Sequence, residues 1–375
     1  MSERKPRLFF LFHGRFPSEK AASIFLEEEA RSFAALGYDV TIVAARRQGR
    51  LAPKVLEGVR VVYVPTIDVV PLNIAQSFAF RLSLIAYSWS ALVYLLLHSG
   101  RRDLIISTEA LPLLVASYVR RRTVFELHDY PERSLGMFAR LFARVRHVLV
   151  TNEWKLRKFR EEFPHEAAKA FLEPNAVDVA RFSVETPRSA ARTTLSLPLD
   201  ARIAVYTGHL YAWKGVDVLA EATRSMGSVH TYVVGGTDAD RAAFTRRWGS
   251  IANLHVVGMR PHEEIPLWQR AADVLILPNT GKEEISAHYT SPMKLFEYMA
   301  SGTPIVASDI PSIREITGDE RAILVAPDSP EALASGIRVA LSAVSEKSGR
   351  ASAWVASHTW LRRAERIVTS VIGQP

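Results

Sequence analysis

Short β-rich runs alternate with longer helical patterns along the whole of this chain, and the alternation begins twice. Residues 7–12, 39–44 and 59–64 read as strands, as do 103–107, 123–127 and 147–151. Between the first two lies 21–36, with Ile24, Leu26, Phe33 and Leu36 spaced among charges and Gly37 as a stop signal. Strand, helix and strand with short joints build a parallel sheet, because parallel neighbours need a crossover. The same grammar resumes after residue 195. Strand candidates at 202–206, 231–234, 254–256, 274–277, 304–307 and 323–325 are separated by helical stretches at 216–224, 238–247, 263–270, 291–301 and 330–341. The expected fold is α/β with two doubly wound domains, 1–185 and 195–355, followed by a terminal helix, 356–375. A polar stretch running from Glu173 to Asp200 reads as the linker.

A length of 375 residues suits two such domains. The chain has no cysteine, which excludes disulfides, thiolate metal sites and cysteine nucleophiles. The apolar run after the basic start, residues 8–12, is shorter than a signal core, so a cytoplasmic protein is expected. Residues 1–184 carry a net +8 and residues 185–375 a net zero. A basic first half suits an anionic membrane surface or an anionic acceptor. No zinc finger or RNA-recognition signature supports nucleic acid. Within 74–98, the stretch 82–97 has no charge but falls short of the ~20 apolar residues of a membrane span. It reads as a long helix buried in the first domain, with contact to a membrane interface as the alternative.

The strongest local signal is Tyr289-Thr290-Ser291-Pro292-Met293-Lys294-Leu295-Phe296-Glu297, continuing to Gly302 and a strand. Ser291 suits an N-cap and Pro292 the first helical turn. A helix start beside strand ends can hold a phosphate through free backbone N–H groups. Glu297 lies five residues beyond Pro292, roughly 7–8 Å along a helix. That is the offset from a diphosphate to its ribose, whose two hydroxyls a carboxylate can accept. The second signal is Gly208-His209-Leu210-Tyr211-Ala212-Trp213-Lys214-Gly215, a strand-to-helix turn carrying a lysine. A lysine there can neutralise charge on a leaving diphosphate. Either residue alone would pass for a solvated surface charge; the pattern around them argues for a site.

On these residues the chain resembles the family 4 retaining glycosyltransferases, which have the GT-B architecture of two Rossmann-like domains facing a central cleft. The matching features are Gly208…Lys214-Gly215, the 291–306 block, Asn175-Ala176-Val177-Asp178, and Gly37-Tyr38-Asp39-Val40-Thr41. The terminal Trp360 helix is also similar; in such enzymes it crosses back onto the first domain. The resemblance implies hexosyl transfer, with retention, from a UDP- or GDP-sugar to an acceptor hydroxyl of a glycan or lipid-linked acceptor. Cell-envelope synthesis at the cytoplasmic membrane face is the setting it suggests. Lys214 and the helix start at Ser291 and Pro292 would hold the diphosphate, Glu297 the ribose, and Gly258 and Met259 the base. His128, at the end of strand 123–127, resembles the family histidine that orients the donor sugar.

Three positions depart from the family pattern. Tyr289 stands where a first glutamate is common, His209 where an arginine often follows the glycine, and 17–23 where a Gly-Gly loop is usual, with Gly14 as the nearby glycine. A second reading is therefore a weak or inactive relative that binds a nucleotide sugar or serves as a scaffold. No Gly-x-Gly-x-x-Gly follows the first strand, which argues against a nicotinamide dehydrogenase. No acidic metal motif stands at a strand end, so no metal requirement is expected.

Overall fold

The computed structural model describes residues 5–47, 56–67, 76–342 and 346–373. Residues 74 and 75, at the start of the long apolar segment, and 374 and 375, at the end of the expected terminal helix, lie outside the described residues. The chain forms two compact units, Met1–Pro174 with Trp360–Pro375, and Asn175–Thr359.

The first unit holds β1 (Leu8–Phe12), β2 (Val40–Ala45), β3 (Val59–Val64), β4 (Leu104–Ser107), β5 (Thr123–Leu127), β6 (His147–Val150) and β7 (Ala170–Leu172). They pair in parallel in the order β3-β2-β1-β4-β5-β6-β7. The sequence reading missed β7, whose three residues are too short to show a period. All five residues of β1 are buried, as expected where helices cover both faces of a parallel sheet.

The second unit holds β8 (Arg202–Thr207), β9 (Val229–Val234), β10 (Leu254–Gly258), β11 (Val274–Leu277), β12 (Ile305–Ser308) and β13 (Ile323–Val325). Their order is β10-β9-β8-β11-β12-β13, again all parallel. Alternate residues feed the two faces: Ile203 and Val205 join one buried cluster, Ala204 and Tyr206 the other. In each unit the order reverses once, between β1 and β4 and between β8 and β11. The crevice at the carboxyl ends of such a strand pair is where doubly wound sheets bind ligands.

Two expectations need correction. The stretch to Asp200 is not an unpacked linker. Val179–Phe182 and Arg188–Thr194 are helices, and Phe182, Ala191 and Leu197 lie in the second core. Arg192 is fixed there by a 2.7 Å ion pair with Asp273. The apolar segment does form a helix, Gln76–His98, but it is not buried. It packs through Ala79, Ser83, Tyr87, Ala91 and Leu95, while Phe78, Ile85, Trp89, Val93 and Leu96 on the other side are exposed. Apolarity on both faces made it look like a core helix, and only packing shows which face has a partner.

Candidate functional site

The second unit concentrates unusual backbone at the ends of β8, β9 and β10. Gly208 follows β8 with φ +131°, Gly235 follows β9 with φ +129°, and Gly258 ends β10 with φ +84°. Gly208 donates its N–H to Val234 O at 2.8 Å, and Gly235 to Gly258 O at 2.8 Å. A Cβ on Gly235 would run into the Gly208 carbonyl. Three backbones therefore approach as only glycine allows and leave an open floor. The sequence reading used Gly208 and Gly258 and passed over Gly235.

From this floor the chain climbs into the turn Ala212–Lys214. Gly215, at φ +67°, presses against the Pro278 carbonyl just past β11, and Thr280 donates its N–H to Trp213 O at 3.2 Å. These contacts pin the Lys214 backbone at the sheet's switch point. Its Nζ lies 3.6 Å from the centre of the Trp213 ring. Burial lowers its pKa well below the usual lysine value, and the positive charge of Lys294 lowers it further. His209 stacks on Tyr211, ring centres 5.1 Å apart.

The helix that follows is Met293–Ser301, which starts two residues later than its reading as 291–301. Pro292 has ψ 112°, so it is the flanking residue, and no side chain caps the helix. Ser291 is thus not the cap. Its Oγ is buried without a hydrogen-bond partner, and its carbonyl accepts from Asn175 Nδ2 at 2.5 Å. The first-turn N–H groups keep no side-chain acceptor, the condition for anion binding at a helix start. Leu295, Phe296 and Met299 bury the other face, which fixes where the polar residues point.

Glu297 stands one turn in. Its Oε1 lies 3.6 Å from His262 Nε2 and its Oε2 accepts from Gln269 Nε2 at 3.5 Å. Met259, beyond Gly258, is 46% exposed. Tyr289 is buried at the end of the turn Ile285–Tyr289, which packs on the turn carrying Lys214. Lys294 was not singled out in the sequence. Its Nζ is buried without a hydrogen-bond partner, lies 4.1 Å from the Tyr206 ring centre, and occupies the space a Cβ on Gly208 would take. The Lys-x-x-Glu spacing gave no hint, because it reads as an ordinary helical ion pair. Buried, unpartnered atoms cluster here: Ser291 Oγ, Asn175 Oδ1, Gln269 Oε1, Asn279 Oδ1 and Lys294 Nζ. Buried polar atoms are normally satisfied, so such a cluster marks a place made for a polar ligand.

In the first unit, His128 follows β5. Its Nε2 is 3.2 Å from Glu126 Oε2, its carbonyl accepts from Lys155 Nζ, and Phe25 meets the ring edge-on at 4.4 Å. Glu126 and Glu29 are buried around Arg363 of the helix Trp360–Ile367. Burial raises the Glu126 pKa, but the Arg363 charge and the His128 hydrogen bond outweigh it and hold it at about 2. Glu29 is pushed well above the usual carboxylate range, first by burial and then by Glu126. Beside Gly14, the His13 N–H is taken by the Glu109 carboxylate at 2.7 Å.

Residues 201–343 match the family model described as "Glycosyl transferases group 1", and residues 22–181 the one described as "Glycosyltransferase Family 4". The chain belongs to the family 4 glycosyltransferases. It is 27% identical over 222 residues to the putative teichuronic acid biosynthesis glycosyltransferase TuaC of Bacillus subtilis, covering 56% of this chain and 52% of that one. It is 31% identical over 191 residues to a phosphatidyl-myo-inositol mannosyltransferase of Mycobacterium tuberculosis, covering 49% and 47%. The chain thus spans about half the length of the curated relatives it matches. The structure of sucrose-phosphate synthase from Thermosynechococcus elongatus superposes with a TM-score of 0.80 at 19% identity, over 98% of both chains. Anabaena HepE in complex with UDP and glucose superposes at 0.75 and 16%, over 98% of this chain and 100% of that one. At these identities the family's GT-B fold is what the neighbours share with this chain.

Proposed function

We propose that this protein transfers a hexosyl group from a nucleoside diphosphate sugar to an acceptor hydroxyl, with retention. The observation that carries the reading is the meeting, at the β8–β11 switch point, of Lys214, the uncapped start of Met293–Ser301, and Glu297 one turn on. In the reaction the anomeric C–O bond to the diphosphate breaks and a new glycosidic bond forms. The departing negative charge falls to Lys214 and the helix start. A leaving phosphate oxygen takes the acceptor proton, so no separate protein base is needed. Glu297 holds the ribose, with Gly258 and Met259 beside the base. His128 keeps the role given by the family resemblance, orienting the transferred sugar, and its Nε2 contact with Glu126 fixes the imidazole for it.

A UDP-sugar is the first donor to test, since HepE was crystallised with UDP and glucose. The names of the teichuronic acid and phosphatidyl-myo-inositol relatives support a cell-envelope glycan or glycolipid acceptor. The exposed stripe on Gln76–His98 and the exposed Arg81, Arg101, Arg102 and Arg121 support peripheral docking on an anionic membrane, at its cytoplasmic face. Thermal unfolding with UDP, GDP and their sugars tests the donor assignment, followed by product analysis for the best ligand. Stabilisation and a glycosylated product are expected; absence of stabilisation by every diphosphate overturns the reading. Tyr289 and His209 favour one other outcome, a protein that binds donor without turning it over, which product analysis separates from transfer.

A further inference from the structure

We propose that Lys294 is a second diphosphate-binding cation, which with Lys214 clamps the leaving group and takes the place of the positive charge that His209 does not supply. The inference rests on the donor reading above.

Three features of Lys294 are each unfavourable in the empty protein. Its ammonium is buried, and no hydrogen bond satisfies it. It is the second residue of its helix, at the positive end of the macrodipole, where acidic residues are preferred. It faces a like charge, Lys214, whose pKa its own charge lowers. The Tyr206 ring beneath it offers only a partial counterweight. A dianion against the first-turn N–H groups relieves all three at once. Gly208 gives the geometry its reason, since any side chain there would displace the lysine.

The titratable groups facing Lys294 are Lys214 from the neighbouring turn, Glu297 one turn on, and Tyr206 on β8 with Tyr298 behind it. Burial lowers the Lys294 pKa to about 7, with Glu297 opposing. Around neutral pH the empty site is therefore partly deprotonated, and binding a diphosphate draws a proton from solvent onto Nζ. Affinity should be greatest below about pH 7 and fall as pH rises above it, by up to about tenfold per unit for one linked proton.

The test is calorimetric titration of the wild type, Lys294→Met and Lys294→Arg with UDP, GDP, inorganic pyrophosphate, uridine and guanosine between pH 7.5 and 9. The expected result for Lys294→Met is a loss of about 10- to 100-fold in diphosphate affinity, the scale of one charge-assisted hydrogen bond. Its nucleoside affinity should be unchanged and its pH slope shallower than wild type, the remainder coming from Lys214. Lys294→Arg should bind diphosphate with a similarly shallow slope, because the guanidinium does not deprotonate. Diphosphate binding that is equal in Lys294→Met, or a wild-type affinity flat across this range, overturns the role of Lys294 and leaves the donor assignment standing. Failure of every diphosphate to bind wild type overturns both.

Discussion

The backbone N–H of Thr207 donates to the Tyr298 hydroxyl at 2.9 Å, and the Thr207 hydroxyl lies 3.1 Å from the same oxygen. Thr207 ends β8 just before Gly208, and Tyr298 follows Glu297. One phenol therefore ties the end of β8, beside Gly208, to the helix turn that carries Glu297. Tyr298→Phe leaves the buried Thr207 N–H without an acceptor, at about 1–3 kcal/mol. The expected outcome is a melting temperature lower by several degrees, with donor affinity falling further than stability alone explains. Paired thermal unfolding and UDP titration check it.

Glu297→Gln should separate the nucleoside from the diphosphate. The amide keeps one accepting oxygen and no charge, so about 1.5–3 kcal/mol of charge-assisted bonding is lost. UDP and uridine should weaken together, about 10- to 100-fold, and pyrophosphate by less, through the support that Glu297 gives to the Lys294 charge. Titration of the three ligands checks this, and a variant that weakens pyrophosphate alone would place Glu297 elsewhere.

Arg363→Met tests the buried charge cluster of the first unit. The Glu126 pKa of about 2 lies below the ordinary 4.5, so its contribution to stability is present above pH 4.5 and lost as pH falls through about 2. Without the guanidinium the carboxylate stays buried without its main counter-charge, at about 3–5 kcal/mol near pH 7. Because the variant can protonate Glu126 more easily, its deficit against wild type should shrink as pH falls from 7 to 5. Thermal unfolding across that range checks the sign.

Trp89→Asp addresses the exposed helix face. Trp89 is 60% exposed and has apolar neighbours along its stripe, so folding stability should change by only about 0.5 kcal/mol. Cosedimentation with anionic vesicles at low salt should fall sharply. Neutralising Arg101, Arg102 and Arg121 should act in the same direction. Arg120 and Arg122 are poor controls. Arg120 donates to Leu95 O and Ser99 O at the helix end, and Arg122 to Ile372 O, so both hold the fold.

The two sheets were legible in the chain because every strand but β7 is a short apolar run bounded by turn residues, and burial on both faces demands just that pattern. Lys214 and Glu297 could be nominated from the chain for a related reason. Each sits at a fixed offset from a strand end or helix start, and both kinds of boundary are local. Lys294 was not legible, although it lies three residues from Glu297. Its spacing matches an exposed ion pair, and its meaning comes from the Tyr206 ring and the glycine at 208, over 80 residues away in sequence.

The helix Gln76–His98 shows the same division. Its composition determined that it is helical and apolar, and could not determine which side faces protein. The sequence by itself settled what is local: element type, periodicity and the offsets within each motif. Tertiary structure alone decided which polar atoms lose water without gaining a partner, because desolvation depends on everything that packs around a group and not on its neighbours along the chain.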